Sequence, residues 1–81
     1  MANILILSIE KRSKDAVKVQ QILTKAGCMI KTRLGIHEAS ENSCSDAGII
    51  ILELVGAPKE IKDLISKFAD VKSVKTKFVR I

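Results

Sequence analysis

Hydrophobic and polar positions along the chain divide it into short apolar runs and amphipathic stretches. Asn3 to Glu10 is an isoleucine- and leucine-rich run bounded by a charged loop, the signature of a buried strand. Ser13 is placed to cap a helix with Asp15 in its first turn. Ala16, Val19, Leu23 and Ala26 then recur at helical spacing before Gly27 as a stop. Cys28 to Leu34 alternates, with Ile30, Thr32 and Leu34 on one side and Met29, Lys31 and Arg33 on the other, which predicts an edge strand. Gly35 to Asp46 is polar and serine-rich and reads as a long connection. Ala47 to Val55 repeats the apolar strand signal. Pro58 then opens a helix carrying Ile61, Leu64, Ile65 and Phe68 on one face. Val74 to Ile81 alternates again, with Lys75 and Lys77 opposite Val74 and Phe78, and predicts a second edge strand.

The two halves match at an offset of 45 residues: Ile4-Leu5-Ile6-Leu7 lies over Ile49-Ile50-Ile51-Leu52, and Leu23 over Phe68. A doubled βαβ unit of this kind predicts an α+β fold, the ferredoxin-like βαββαβ sandwich. Its four-stranded antiparallel sheet has the order 4-1-3-2, with both helices on one face. The first and third strands become central, in keeping with their apolar character on both sides. If Leu5, Leu7, Ile9, Ile50, Leu52 and Leu54 face the helices, then Ile4, Ile6, Ile49, Ile51 and Glu53 fall on a sheet face that no helix covers. Met29, Lys31 and Arg33 are expected to flank that patch on one edge and Lys75, Lys77 and Val79 on the other. An apolar centre with a polar rim is the anatomy of a partner surface. Those five residues are therefore the candidate interface, and a homo-oligomer (a dimer, or a tetramer of dimers) is the expected assembly.

Composition narrows the function classes. Eighty-one residues, 47% hydrophobic and 28% charged with one proline, describe one globular domain over residues 1–81. No apolar run approaches the about 18 residues of a membrane span, and Met1-Ala2-Asn3 lacks the basic start of a secretion signal, so a cytoplasmic protein is expected. The net charge of +5 gives a mild attraction to anions. A nucleic-acid-binding module using the lysines of the last strand and the first loop is the alternative reading. RNA-recognition domains of this architecture stack bases on aromatics of the central strands, and here those positions are isoleucines.

The chemistry of enzymes and metal carriers is thinly represented. The first loop, Glu10-Lys11-Arg12-Ser13, has neither the Cys-x-x-Cys pair of a soft-metal carrier nor the glycines of an acylphosphatase phosphate cradle. No catalytic residue and no cofactor are expected. His37, Glu38, Glu41, Cys44 and Asp46 supply possible metal ligands in the polar connection, with His37 and Cys44 as the candidate pair, but the spacing matches no zinc template and no metal is expected. Cys28 and Cys44, expected about 20 Å apart, are too distant for a disulfide, which needs Cα atoms within about 7 Å.

Ile4-Leu5-Ile6-Leu7-Ser8-Ile9-Glu10, Val19-Gln20-Gln21-Ile22-Leu23, Thr32-Arg33-Leu34-Gly35-Ile36 and Ala47-Gly48-Ile49-Ile50-Ile51-Leu52-Glu53-Leu54 resemble the small regulators of the iron-only hydrogenase system. The Arg-x-Gly step is the most telling piece. Val71 to Phe78 also looks like that family's ending, with Lys72 where glycine is usual. The family is similar to the C-terminal regulatory domain of the nickel-responsive repressor and, more distantly, to amino-acid-sensing ACT domains. The resemblance implies an oligomeric, non-catalytic regulator of transcription with a small-molecule effector. Neither nickel nor an amino acid carries over: Ile49 to Leu54 holds no His or Cys, and Glu10 to Asp15 replaces the glycine-containing loop of ligand-binding ACT domains.

Overall fold

The computed structural model describes residues 2–9, 14–40 and 43–81. It contains β1 (Asn3–Ile9), α1 (Lys14–Lys25), a single 3-10 turn (Gly27–Met29), β2 (Ile30–Ser40), β3 (Ser43–Leu54), α2 (Pro58–Ala69) and β4 (Val74–Arg80). All pairings are antiparallel and the sheet order is β2-β3-β1-β4, the expected ferredoxin-like order read from the other edge.

The core forms where the helices cover the sheet. Leu5, Leu7 and Ile9 of β1 and Ile50, Leu52 and Leu54 of β3 alternate with outward residues, so period two sends all six to the helix side, where they are buried. Val19 and Leu23 from α1 and Ile61, Leu64 and Phe68 from α2 recur at i+3, i+4 and i+7 and close over them. Among the described residues this layer buries no polar or charged side chain.

Helix α2 has local reasons to start where it does. At the entry to α2 the Glu60 carboxylate accepts the Ala57 backbone N–H at 3.2 Å, satisfying a donor the helix itself leaves free. Pro58 supplies the fixed φ suited to a first turn. The preceding Gly56 sits at φ +135°, a conformation that side-chain-bearing residues rarely adopt. The expected Ser13 cap of α1 lies outside the described residues.

Two expectations need correction. First, Gly35 to Asp46 is not a long connection: β2 continues to Ser40 and β3 begins at Ser43, with Ala39 across from Cys44 and Ser40 across from Ser43. Once two antiparallel strands are in register, backbone pairing carries the ladder through residues whose side chains give little strand signal. β1 ends at Ile9 opposite Gly48, so β3 extends past it, and there Cys44 and Ser43 pair with β2 beyond a register irregularity between His37 and Ala39. Twelve residues of β3 span about 40 Å, close to the 43 Å long axis of the molecule.

Second, Cys28 does not open the second strand. Gly27 to Met29 form the 3-10 turn, and the strand starts at Ile30 with an irregularity: Ile30 pairs with Leu54 but Thr32 pairs with Glu53. Lys31 is the extra residue of a β-bulge, and it shifts the alternation of everything after it.

Candidate functional site: the open sheet face

Strand register builds the uncovered face row by row. Thr32, Glu53, Ile4 and Val79 lie side by side across the four strands; Leu34, Ile51, Ile6 and Lys77 form the next row; the third carries Ile49, Ser8 and Lys75, with Ile36 at the register position beside Ile49. Ile4, Ile6, Ile51 and Val79 are half-buried by their neighbours alone. Ile49 is 41% exposed and Leu34 52%. Three rows at about 6.6 Å and four strands at about 4.8 Å give a footprint of roughly 400 Å². Thr32, Glu53, Ser8, Lys75 and Lys77 take part of that footprint, and its apolar centre is Ile4, Ile6, Leu34, Ile49 and Ile51.

All five sequence-predicted interface residues, Ile4, Ile6, Ile49, Ile51 and Glu53, share this face. Lys75, Lys77 and Val79 line its β4 edge as expected.

The β2 edge differs. The bulge at Lys31 puts Thr32 and Leu34 on the open face and sends Arg33 to the helix side, opposite Leu52. There the Arg33 Nη2 donates to Oε1 of Gln20 on α1 at 3.0 Å. Met29 also leaves the patch and packs against the core. Lys31 stays on the open side, its Nζ 3.9 Å from Glu53 Oε2. Straight alternation missed Leu34, and the only signal for it was the placement of the bulge.

The face is electrostatically simple. Glu53 lies within reach of one lysine, and Lys77 and Lys75 stand two strands away beyond β1. No aromatic ring joins it: Phe68 is in the core and Phe78 lies across from Leu5 on the helix side.

The structure pairs His37 with Gly48 and Cys44 with Ala39, two residues beyond His37 on β2, with a register irregularity between the two pairs. Their side chains lie outside the described set, as do Glu41 and Asn42. Among the described residues no group of three His, Cys, Asp or Glu side chains converges, and Cys28 is an exposed free thiol. No described helix is long and apolar enough to cross a membrane.

No family model and no curated protein matches the sequence. Solved structures do match. An uncharacterised protein from Thermotoga maritima superposes with a TM-score of 0.81 at 26% identity, covering 96% of this chain and 92% of that one. A dehydrochlorinase from Burkholderia phenoliruptrix, solved with dihydroxybenzoquinone, gives 0.56 at 13% identity over 98% and 92%. A nitrogen regulatory PII-like protein from Thiomonas intermedia, bound to ADP, AMP and bicarbonate, gives 0.53 at 17% identity over 99% and 91%. At such identities the last two likenesses concern the fold, which serves an enzyme in one case and a regulator in the other.

Proposed function

We infer that this chain is a small non-catalytic regulatory module that self-associates through its open sheet face and responds to a small-molecule effector. One observation carries the reading: the central rows of that face, Ile4, Ile6, Ile49 and Ile51 with Leu34, are apolar and uncovered by any helix. The occupant the face suits is a second copy. A two-fold axis running along the strands lays β4 of one copy over β2 of the other, so the lysine edges stand apart and isoleucines meet in the middle. The likeness to a PII-like regulator supports a regulatory role on this fold. The Arg33-Leu34-Gly35 step and the strand through Ile49 to Leu54 extend the proposal to transcriptional control in an iron-only hydrogenase system.

The nucleic-acid alternative is weaker, since the face offers Lys75 and Lys77 at one edge and Lys31 at the other but no ring on which a base could stack. Sedimentation equilibrium decides the main claim. Wild-type protein is expected to associate and Ile51→Lys to be monomeric, because an unpaired ammonium buried among isoleucines costs several kcal/mol. A monomeric wild type at high concentration would overturn the reading. Strong binding to generic DNA, weakening with salt at a log-log slope of about 0.9 per phosphate contact, would favour the alternative.

A further inference from the structure

Among the described residues, three clefts on the helix side of the molecule differ in charge. The one between the ends of α1 and α2, about 360 Å³, is lined by Lys25 and Lys67 but also by Glu60 and Asp63. The one beside it, about 370 Å³, has Asp70 among its lysines. The third lies between α2 and the edge strand β4 and measures about 470 Å³. Its floor is Ile61, Ile65 and Phe78, of which Ile65 and Phe78 are only half-buried; its rim carries Lys62 and Arg80, and no acidic residue lines it.

Sequence spacing produces this arrangement. Ile61 and Ile65 are one turn apart on α2, and Lys62 lies on the adjacent row. On β4, Phe78 and Arg80 are two residues apart and share the helix side, across from Leu5 and Asn3 of β1. The Nε of Arg80 donates to Asn3 Oδ1 at 3.2 Å. That bond holds the guanidinium plane and leaves its two Nη groups as a fork.

We propose that this cleft binds a small organic carboxylate with a compact apolar body. The body covers the exposed parts of Phe78 and Ile65, and the carboxylate takes the Arg80 fork, whose geometry matches two oxygens side by side, with Lys62 as the second cation. A bare inorganic anion would leave the apolar floor wet, and an uncharged ligand would leave two cations uncompensated. The cavity volume is within the range of small-molecule sites. This names an effector class for the reading above, yet it does not depend on assembly, because the cleft and the open face are on opposite sides of the sheet.

The test is an NMR titration of the full chain with hydrocinnamate, its neutral amide and inorganic phosphate. Hydrocinnamate should give saturable amide shifts confined to the first two turns of α2 and the end of β4. The amide and phosphate should each bind more weakly by about tenfold or more, the scale of a charge-assisted hydrogen bond. Arg80→Gln and, separately, Lys62→Gln should weaken hydrocinnamate while melting as the wild type does; Lys62 is exposed on its helix, so at least that variant keeps the fold. Ile51→Lys should bind hydrocinnamate as the wild type does. Equal binding of acid and amide, shifts centred elsewhere, no saturation by about 10 mM, or loss of binding in Ile51→Lys would each overturn the proposal. Failure to bind with association intact leaves the open-face reading standing, so the two failures are distinguishable.

Discussion

The Nη2 of Arg33 donates a hydrogen bond to Oε1 of Gln20 at 3.0 Å, which ties the edge strand β2 to helix α1 and removes this cation from the open face. Leu34 occupies the face in its stead, across from Ile51. Leu34→Lys should therefore reduce self-association by about tenfold or more, as burial of an unpaired charge requires, whereas Arg33→Ala should leave it unchanged. Sedimentation of the two variants side by side reads the strand phase directly; the reverse ranking would mean that the bulge at Lys31 is misplaced.

Glu53 and Lys31 approach to 3.9 Å with the lysine side chain 64% exposed. In a single chain such a pair contributes about 0–1 kcal/mol, so Glu53→Gln should shift the melting temperature of dilute protein hardly at all. Against a second copy the same substitution removes the acid that balances a lysine at a desolvated surface, and association should weaken. Equal association constants for the two proteins would place Glu53 on a wet rim.

Gly56 turns the chain from β3 into α2 at φ +135°, with space for a methyl group 3.5 Å from Met29 Cε. The cost of Gly56→Ala is thus in the backbone, about 1 kcal/mol or more. Gly35→Ala, where the added methyl group meets nothing within 4 Å and φ is not positive, should be neutral or slightly stabilising. Urea midpoints of the two variants should move in opposite directions or differ clearly.

Leu52 is fully buried at the centre of the helix–sheet layer. Leu52→Ala should cost about 2–5 kcal/mol, against a total of about 4–12 kcal/mol for a chain of this length. Its neighbour Ile51 points to the other side, and Ile51→Ala should lower the melting temperature of the monomer far less. Thermal unfolding of both, at concentrations below association, checks the alternation of β3.

The sequence made the central strands legible because β1 and β3 are apolar on both faces and pair with each other in unbroken register over Asn3–Ile9 and Gly48–Leu54. Both helices were equally plain, from Val19 and Leu23 in one and Ile61, Leu64 and Phe68 in the other. The β2 strand was not. Lys31 gives no local sign that it is bulged, since bulging depends on how Thr32 and Ile30 align with Glu53 and Leu54. The serines and acids from Gly35 to Asp46 favour turns locally, and only strand pairing brings Ala39 and Ser40 opposite Cys44 and Ser43. Leu34 was hidden for the same reason, and the α2–β4 cleft because it joins Lys62 to Arg80 across the fold.

Asn3 is paired with Arg80, 77 positions away. β1 thus sits between two neighbours that both come from far along the chain, while β2 and β3 form the one strand pair joined by a short hairpin. High contact order makes folding slow, because loop closure must precede the contacts that offset its entropy. During synthesis the hairpin can close as soon as it emerges, in microseconds, but Leu5, Leu7 and Ile9 must wait, unpaired on one edge, until Val74 to Arg80 arrive. The first of these four strands is the last to be enclosed, which makes its apolar row a segment in need of shielding by a chaperone while the chain is being made.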